Sequence, residues 1–322
     1  MPVLYKYVGP GGSADNPAQL PPQFLNMSLL ASDPRSFNDP FEVRPYFDQE
    51  CHDHFARTHE SMYERTLGLK HSLIAGRSMV GIPTENAVGF GEHLNKQFRD
   101  QLGKQFRVVC LSRTRASVLM WGHYTHSYRG FAIGIDTDHV DFPKGLKLDG
   151  FDVQYSPDRS RTKLPLAFYQ SPSVESYDLR GNIANSPDEP VISNGGLVIP
   201  FKEYRRQVEE AMLTALTSKA QDWKYEQEVR FIYDLPQHQR QLAANGGRHF
   251  ARIPTAALKE IIVGFNATVA QVQELVALYR SGKIGNPQLF YTTCHPNLYE
   301  VQAHQATDNY LLDYFRIVLP DQ

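Results

Sequence analysis

The stretch "KYEQEVRFIY", residues 224–233, reads as a β-strand carrying charge on one side. Strand alternation puts Val229, Phe231 and Tyr233 on one face and Glu228, Arg230 and Ile232 on the other. Glu226 stands one strand period before Glu228. Such a face is either a surface ion-pair ladder or the wall of a chemical site. An exposed Glu228–Arg230 pair would add less than about 1 kcal/mol. Ile232 on the same face and Trp223 just upstream make full exposure of that pair unfavourable.

Outward from this strand, further strands are expected in "VLYKYV" (3–8), near "NMSLLAS", in "FRVVCLSRT" (106–114) and in "GFAIGID" (130–136). "LKLDGFDVQYS" follows closely, and "LFYTTC" and "LYEVQAH" read as two strands near the C-terminus. Helical patterns run from about Asp48 to Ala75 and from about Glu85 to Gly103. "ASVLMWGHYTHSY" reads as a helix or tight helical turn, and "TVAQVQELVALYRSG" as a helix. "FKEYRRQVEEAMLTALTSKAQDW" carries Phe201, Tyr204, Val208, Ala211, Met212, Ala215 and Leu216 on one helical stripe. "IPTAALKEIIVG" suggests a short helical turn and then a strand. Strands scattered among helices, without regular βαβ alternation, predict an α+β fold. The expectation is a single domain over 1–322, with a helical insertion at about 48–103. A long irregular loop is expected at about 156–200, which holds six of the chain's 21 prolines.

The composition bounds the function. Of 322 residues, 41% are hydrophobic and 21% charged, as in a folded globular protein. A net charge of -2, from 33 basic and 35 acidic residues, argues against a protein that coats nucleic acid generally. Cys51, Cys110 and Cys294 are odd in number, far apart and without a CxxC, which points to a reducing compartment. With no signal-peptide pattern in "MPVLYKYVGP" and no apolar run of spanning length, a cytoplasmic, membrane-free protein is expected. The oligomeric state is not readable from the sequence.

Motif chemistry narrows further. "CHDHFARTHE" (51–60) concentrates possible metal ligands, yet only Cys51 and His54 have helical spacing for one face. His123 and His126 are three apart with no third ligand nearby, so no metal site is expected. GxSxG, GxGxxG and Walker loops are absent, and 12 histidines make chance pairings plentiful. In "VVCLSRTRASVLMWGHYTHSYRG", Ser112 and Thr114 would share a face at a strand end, with Trp121 and Tyr124 a helical turn apart. These are either hydroxyl donors beside aromatic platforms, or helix caps and core.

The ordered segments "LYKY", "SFNDPFE", "LMWGHY", "RGFAIGID", "KAQDWKYEQEVRF" and "IPTAALKEIIVG" resemble a widespread bacterial family of unknown function, over residues 4–264. The chain also resembles the ADP-ribosyltransferase superfamily. In its arginine-serine-glutamate class an early basic residue, a Ser-Thr-Ser strand end and a Glu-x-Glu strand start follow one another. Here Lys6 stands in "LYKY", Ser112 and Thr114 in "LSRT", and Glu226 and Glu228 in "EQE". "QEVRFIY" followed by "IPTAALKEIIVG" is similar to the end of DNA-targeting ADP-ribosyltransferase toxins. Lys6 replaces the usual Arg or His, and Arg113 interrupts the Ser-Thr pair.

That resemblance implies a split β-sheet core, NAD as substrate and a macromolecular acceptor, nucleic acid or protein. It also implies a toxin or phage-defence setting. Breaking the nicotinamide–ribose bond builds positive charge on the sugar, which a fixed carboxylate stabilises. Glu228 takes that role, and Glu226 orients or deprotonates the acceptor. Trp121 or Tyr124 stacks on nicotinamide, and Lys6, Arg35 or Arg113 meets the pyrophosphate. Tyr7, Asn38, Asp39, Ser112 and Thr114 complete the expected NAD contacts. A metal-dependent nuclease or other hydrolase using Glu226, Glu228 and Asp39 is the alternative enzyme. A non-catalytic binding module presenting residues 121–131 is the alternative from another class.

Overall fold

The computed structural model describes residues 3–11, 20–46, 84–159, 190–192 and 198–318. From the N-terminus the elements are β1 (Leu4–Val8), α1 (Pro22–Leu25), β2 (Ser28–Ala31) and α2 (Thr84–Gln105). Next come β3 (Phe106–Ser112), α3 (Val118–Tyr124), β4 (Phe131–Ile135), and the short β5 (Phe151–Asp152) and β6 (Gln154–Ser156). After β7 (Pro190–Ile192) and β8 (Val198–Pro200) follow α4 (Phe201–Thr217), β9 (Ser218–Ala220) and β10 (Glu228–Asp234). The last part holds α5 (Leu235–His238), β11 (Leu242–Asn245), β12 (Arg248–Arg252) and β13 (Leu258–Val263). It continues through α6 (Val269–Arg280), β14 (Gln288–Cys294), β15 (Val301–Ala306) and α7 (Asp308–Val318).

The chain divides into two compact units, each built from separated stretches. The first takes Met1–Asp33, Phe106–Val153 and Asp222–Gln322. Its centre is an eight-stranded sheet in the order β15-β14-β13-β4-β1-β3-β10-β5. Neighbours run antiparallel except β13 and β14, a parallel pair joined through α6. The fold is therefore mixed α/β around a large mixed sheet.

Alternation sorts the strands of this sheet into two faces. Leu4, Val8, Val109, Leu111, Ile133, Val229 and Phe231 enter one buried cluster, together with Val272 and Leu275 of α6 and Phe315 of α7. Tyr5, Tyr7, Ala132, Ile262 and Phe290 enter another with Met120 and Trp121 of α3. Ser117 caps α3 by accepting from the Met120 amide at 3.3 Å. The same unit contains a small sheet in the order β11-β12-β2.

The second unit takes Pro34–Gln105 and Gln154–Gln221. It pairs β6 with β9 in parallel and β7 with β8 antiparallel, beside α2 and α4. Val208, Met212, Ala215 and Leu216 form the buried stripe of α4. A buried ion pair joins Glu42 to Lys219 at 3.6 Å.

Several boundaries differ from the sequence expectation. The helix expected through Trp223 ends at Thr217, because Ser218–Ala220 leave it to pair with β6. The hairpin β11–β12 and the helix α7 were not anticipated. The expected helix from about Asp48 to Ala75, the "CHDHFARTHE" motif, and most of 156–200 lie outside the described residues.

Candidate functional site

Five strands of the first unit each contribute one residue to a single row across the sheet. Glu260 of β13 opposes Gly134 of β4, and Gly134 opposes Tyr5 of β1. Tyr5 opposes Ser112 of β3, and Ser112 opposes Glu228 of β10. Directly opposed residues project to the same face, so this row is a polar line within a mostly apolar surface.

At its β10 end the Glu228 carboxylate accepts from Arg230 Nε at 3.0 Å and Nη2 at 2.8 Å. The two residues are two apart on one strand and therefore share a face. Arg230 is 1% exposed and Glu228 8%, so the pair anticipated in the sequence exists but is buried, not a surface ladder. The fork geometry fixes the plane of the Glu228 carboxylate. Cys110 lies beside it. Burial, followed by the negative charge of Glu228, raises the Cys110 thiol far above its ordinary range.

Glu226 is not a strand residue. It ends the 3-10 turn Gln221–Glu226, and Gln227 with φ +44° kinks the chain before β10 begins. The carboxylate is buried and accepts from Tyr124 Oη at 2.5 Å. Its backbone carbonyl accepts from Ser112 Oγ at 2.6 Å, while Ser112 Oγ accepts from the Thr114 amide at 3.1 Å. Ser112 thus ties the end of β3 to the turn that carries Glu226.

The centre of the row marks a gap in the sheet. β1 pairs with β3 in register at Tyr5–Ser112, after which the edge of β3 passes to Ser32, bonded both ways to Val108. Between them Lys6 Nζ donates to the Cys110 carbonyl at 3.1 Å. The ammonium satisfies a backbone acceptor that a neighbouring strand would otherwise meet.

At the β13 end, Tyr5 Oη donates to Glu260 Oε2 at 3.0 Å, and Arg115 Nη1 donates to the same oxygen at 2.9 Å. Gly134 makes this contact possible. A Cβ there would lie 2.8 Å from Glu260 Cβ and 3.1 Å from Tyr5 Cε1. A register irregularity between Leu258 and Glu260 re-aims the side chain. Burial, and then the charge of Glu260, push the Tyr5 phenol up to about 12.

The other expected site residues are placed as follows. Trp121 is fully buried, donates to the Arg115 carbonyl at 2.9 Å, and packs edge-on to Tyr7 at 5.3 Å. It is core, with no face for a guest ring. Tyr124 is half-buried, with its hydroxyl on Glu226. Tyr7 donates to the Thr114 carbonyl at 2.9 Å. Arg113 is exposed and paired with Asp152 at 2.6 Å. Arg35, Asn38 and Asp39 belong to the second unit. There Asp39 is buried and forms a turn, with its Oδ1 accepting from the Phe41 amide at 2.8 Å. Arg35 lies 3.6 Å from Asp100. Among the described residues, no three His, Cys, Asp or Glu side chains are grouped to hold a metal ion.

Tyr5, Gly134, Glu260 and Arg115 escaped the sequence reading. The one signal was the glycine inside the apolar strand "GFAIGID", which marks close approach by a neighbour.

Residues 120–231 match the model of a family described as "Protein of unknown function (DUF2971)". The matched stretch runs from α3 into β10 and includes Tyr124, Glu226, Glu228 and Arg230. No curated protein and no solved structure matches the chain.

Proposed function

We propose that the chain is an NAD-dependent ADP-ribosyltransferase acting on a macromolecule, with Glu228 and Glu226 as its working carboxylates. The observation that carries this reading is the register Tyr5–Ser112–Glu228. It puts the three separated segments of the resemblance on the adjacent strands β1, β3 and β10, which supports the reading, although Lys6 itself alternates to the face opposite Tyr5. The toxin or phage-defence setting rests on the resemblance alone.

In this reading Glu228 faces the ribose as the nicotinamide bond lengthens. A fixed carboxylate in a dry site stabilises the developing cation by a few kcal/mol, about what one well-placed oxyanion-hole donor contributes. Arg230 keeps it oriented without reorganisation at the moment of reaction. Glu226, held by Tyr124, accepts the proton of the incoming nucleophile. Nicotinamide leaves as a neutral ring and needs no acid.

One observation favours a second reading. Both Glu228 oxygens are engaged by Arg230, which suits a lock at the start of β10 in a non-catalytic binding module. Incubating the purified chain with NAD and measuring nicotinamide release separates the two. Release by the wild type, lost in Glu228→Gln at a temperature where its circular dichroism spectrum still matches the folded wild type, is expected. Equal release in both proteins, or none in the wild type with nucleic-acid or protein acceptors added, leaves only the second reading.

A further inference from the structure

We infer that a cavity at the Glu260 end of the row binds an adenine-type base, one that carries an exocyclic amine. The cavity, of about 660 Å³, is lined in part by Val3, Thr255, Leu258, Glu260, Asn286 and Gln288. That volume lies within the range of small-molecule sites.

The donor and acceptor pattern selects the guest. Among the described residues both donors to Glu260 land on Oε2, from Tyr5 and Arg115. Oε1 is left as an acceptor on a residue that lines the cavity. The Asn286 carboxamide oxygen accepts from Tyr279 Oη at 2.6 Å, which leaves its N–H2 to donate. Gln288 is the register partner of Glu260 on β14 and brings a second carboxamide to the same rim. Val3 and Leu258 supply apolar wall. A flat base presenting N–H2 beside a ring nitrogen acceptor satisfies this set, since Asn and Gln side chains pair with adenine in that bidentate manner. A fixed acceptor disfavours an analogue lacking the amine, because the oxygen is then left without that donor.

The placement deepens the transferase reading, on which the identity of the whole substrate rests. Glu260 and Glu228 stand four strand spacings apart in one row, roughly 19 Å at about 4.8 Å per spacing. An extended dinucleotide has about that length, and one with its adenine at Glu260 and its nicotinamide riboside at Glu228 would pass outside the Met120–Trp121 packing that buries Tyr5 on this face. Arg115 is half-exposed, uses one nitrogen on Glu260 and sets its guanidinium 4.9 Å over the Phe290 ring of β14, so it keeps other donors for a phosphate at this end of the row.

Calorimetric titration of the full chain with adenosine and with purine riboside tests the inference. Adenosine should bind at least tenfold more tightly than purine riboside, which has a hydrogen where adenosine has the amine. Glu260→Gln should remove that discrimination. Should Glu260→Gln unfold the chain, Val3→Trp fills the cavity instead and should weaken adenosine tenfold at an unchanged melting temperature. Equal binding of the two nucleosides, no binding of adenosine, or full adenosine affinity in the variants would overturn the assignment. Adenosine binding as expected without NAD cleavage keeps this site and removes the transferase reading. NAD cleavage that adenosine does not inhibit keeps the transferase and removes this site.

Discussion

Glu228 and Arg230 owe their pairing to strand geometry and their consequence to burial. Two charges removed from water persist only when each answers the other, so deleting one partner strands the second. Arg230→Met is expected to destabilise the first unit by about 3–5 kcal/mol. The double variant Glu228→Leu, Arg230→Met should recover most of that loss, and urea unfolding reads both values. A cost below about 1 kcal/mol for Arg230→Met would mean the pair is effectively solvated. The two glutamates should also fail differently. Glu228→Gln keeps the shape and removes the charge, so transfer and NAD hydrolysis should both disappear. Glu226→Gln should lose acceptor labelling yet retain nicotinamide release, because water can replace the acceptor. Measuring both products for both variants decides the roles, and wild-type rates throughout would remove the catalytic assignment.

At the scale of elements, Gly134 allows β1 and β13 to exchange a hydrogen bond across β4. Gly134→Val should overpack this point and cost about 1–3 kcal/mol. By parting Tyr5 from Glu260 it should also lower the raised Tyr5 pKa. Carbon-13 labelled tyrosine, with Tyr5→Phe to assign the resonance, follows that titration. An unchanged Tyr5 pKa would show that Glu260 has no hold on the phenol. The strands and amphipathic helices were legible because their periods are local: β10 splits its faces as alternation requires, and α4 buries Val208, Met212, Ala215 and Leu216. The hairpin β11–β12 was readable in principle from Asn245-Gly246-Gly247-Arg248, whose two glycines adopt φ +54° and +74°. Glu226 was misplaced on the strand because nothing local announces a left-handed Gln227.

For the whole molecule, buried phenols set an alkaline limit. Tyr5 is raised to about 12 by burial and Glu260, and Tyr291 to about 12 through its hydrogen bond with Tyr310. Burial raises Tyr7 and Tyr233 as well. An unfolded tyrosine titrates near 10. The folded state therefore holds these protons more tightly, and their contribution is complete below about pH 10 and lost as pH rises through about 12. Urea midpoints should be level between about pH 8 and 9 and fall by pH 11, with a smaller fall in Tyr7→Phe. A profile level to pH 11 would contradict the burial of these hydroxyls. The sequence by itself determined most strands and helices of the row and which of their residues share a face, since both follow from neighbours a few positions apart, but not the end of α4, the kink at Gln227 or α7. It also limited Glu228 and Arg230 to two outcomes, a solvated ladder or an enclosed pair. Only the tertiary structure chose the enclosed pair and assembled the row Glu260–Gly134–Tyr5–Ser112–Glu228. Tyr5 and Glu260 are 255 residues apart, and their meeting depends on strand order, register and one missing Cβ. Those are long-range packing decisions, and they leave no periodic trace along the chain.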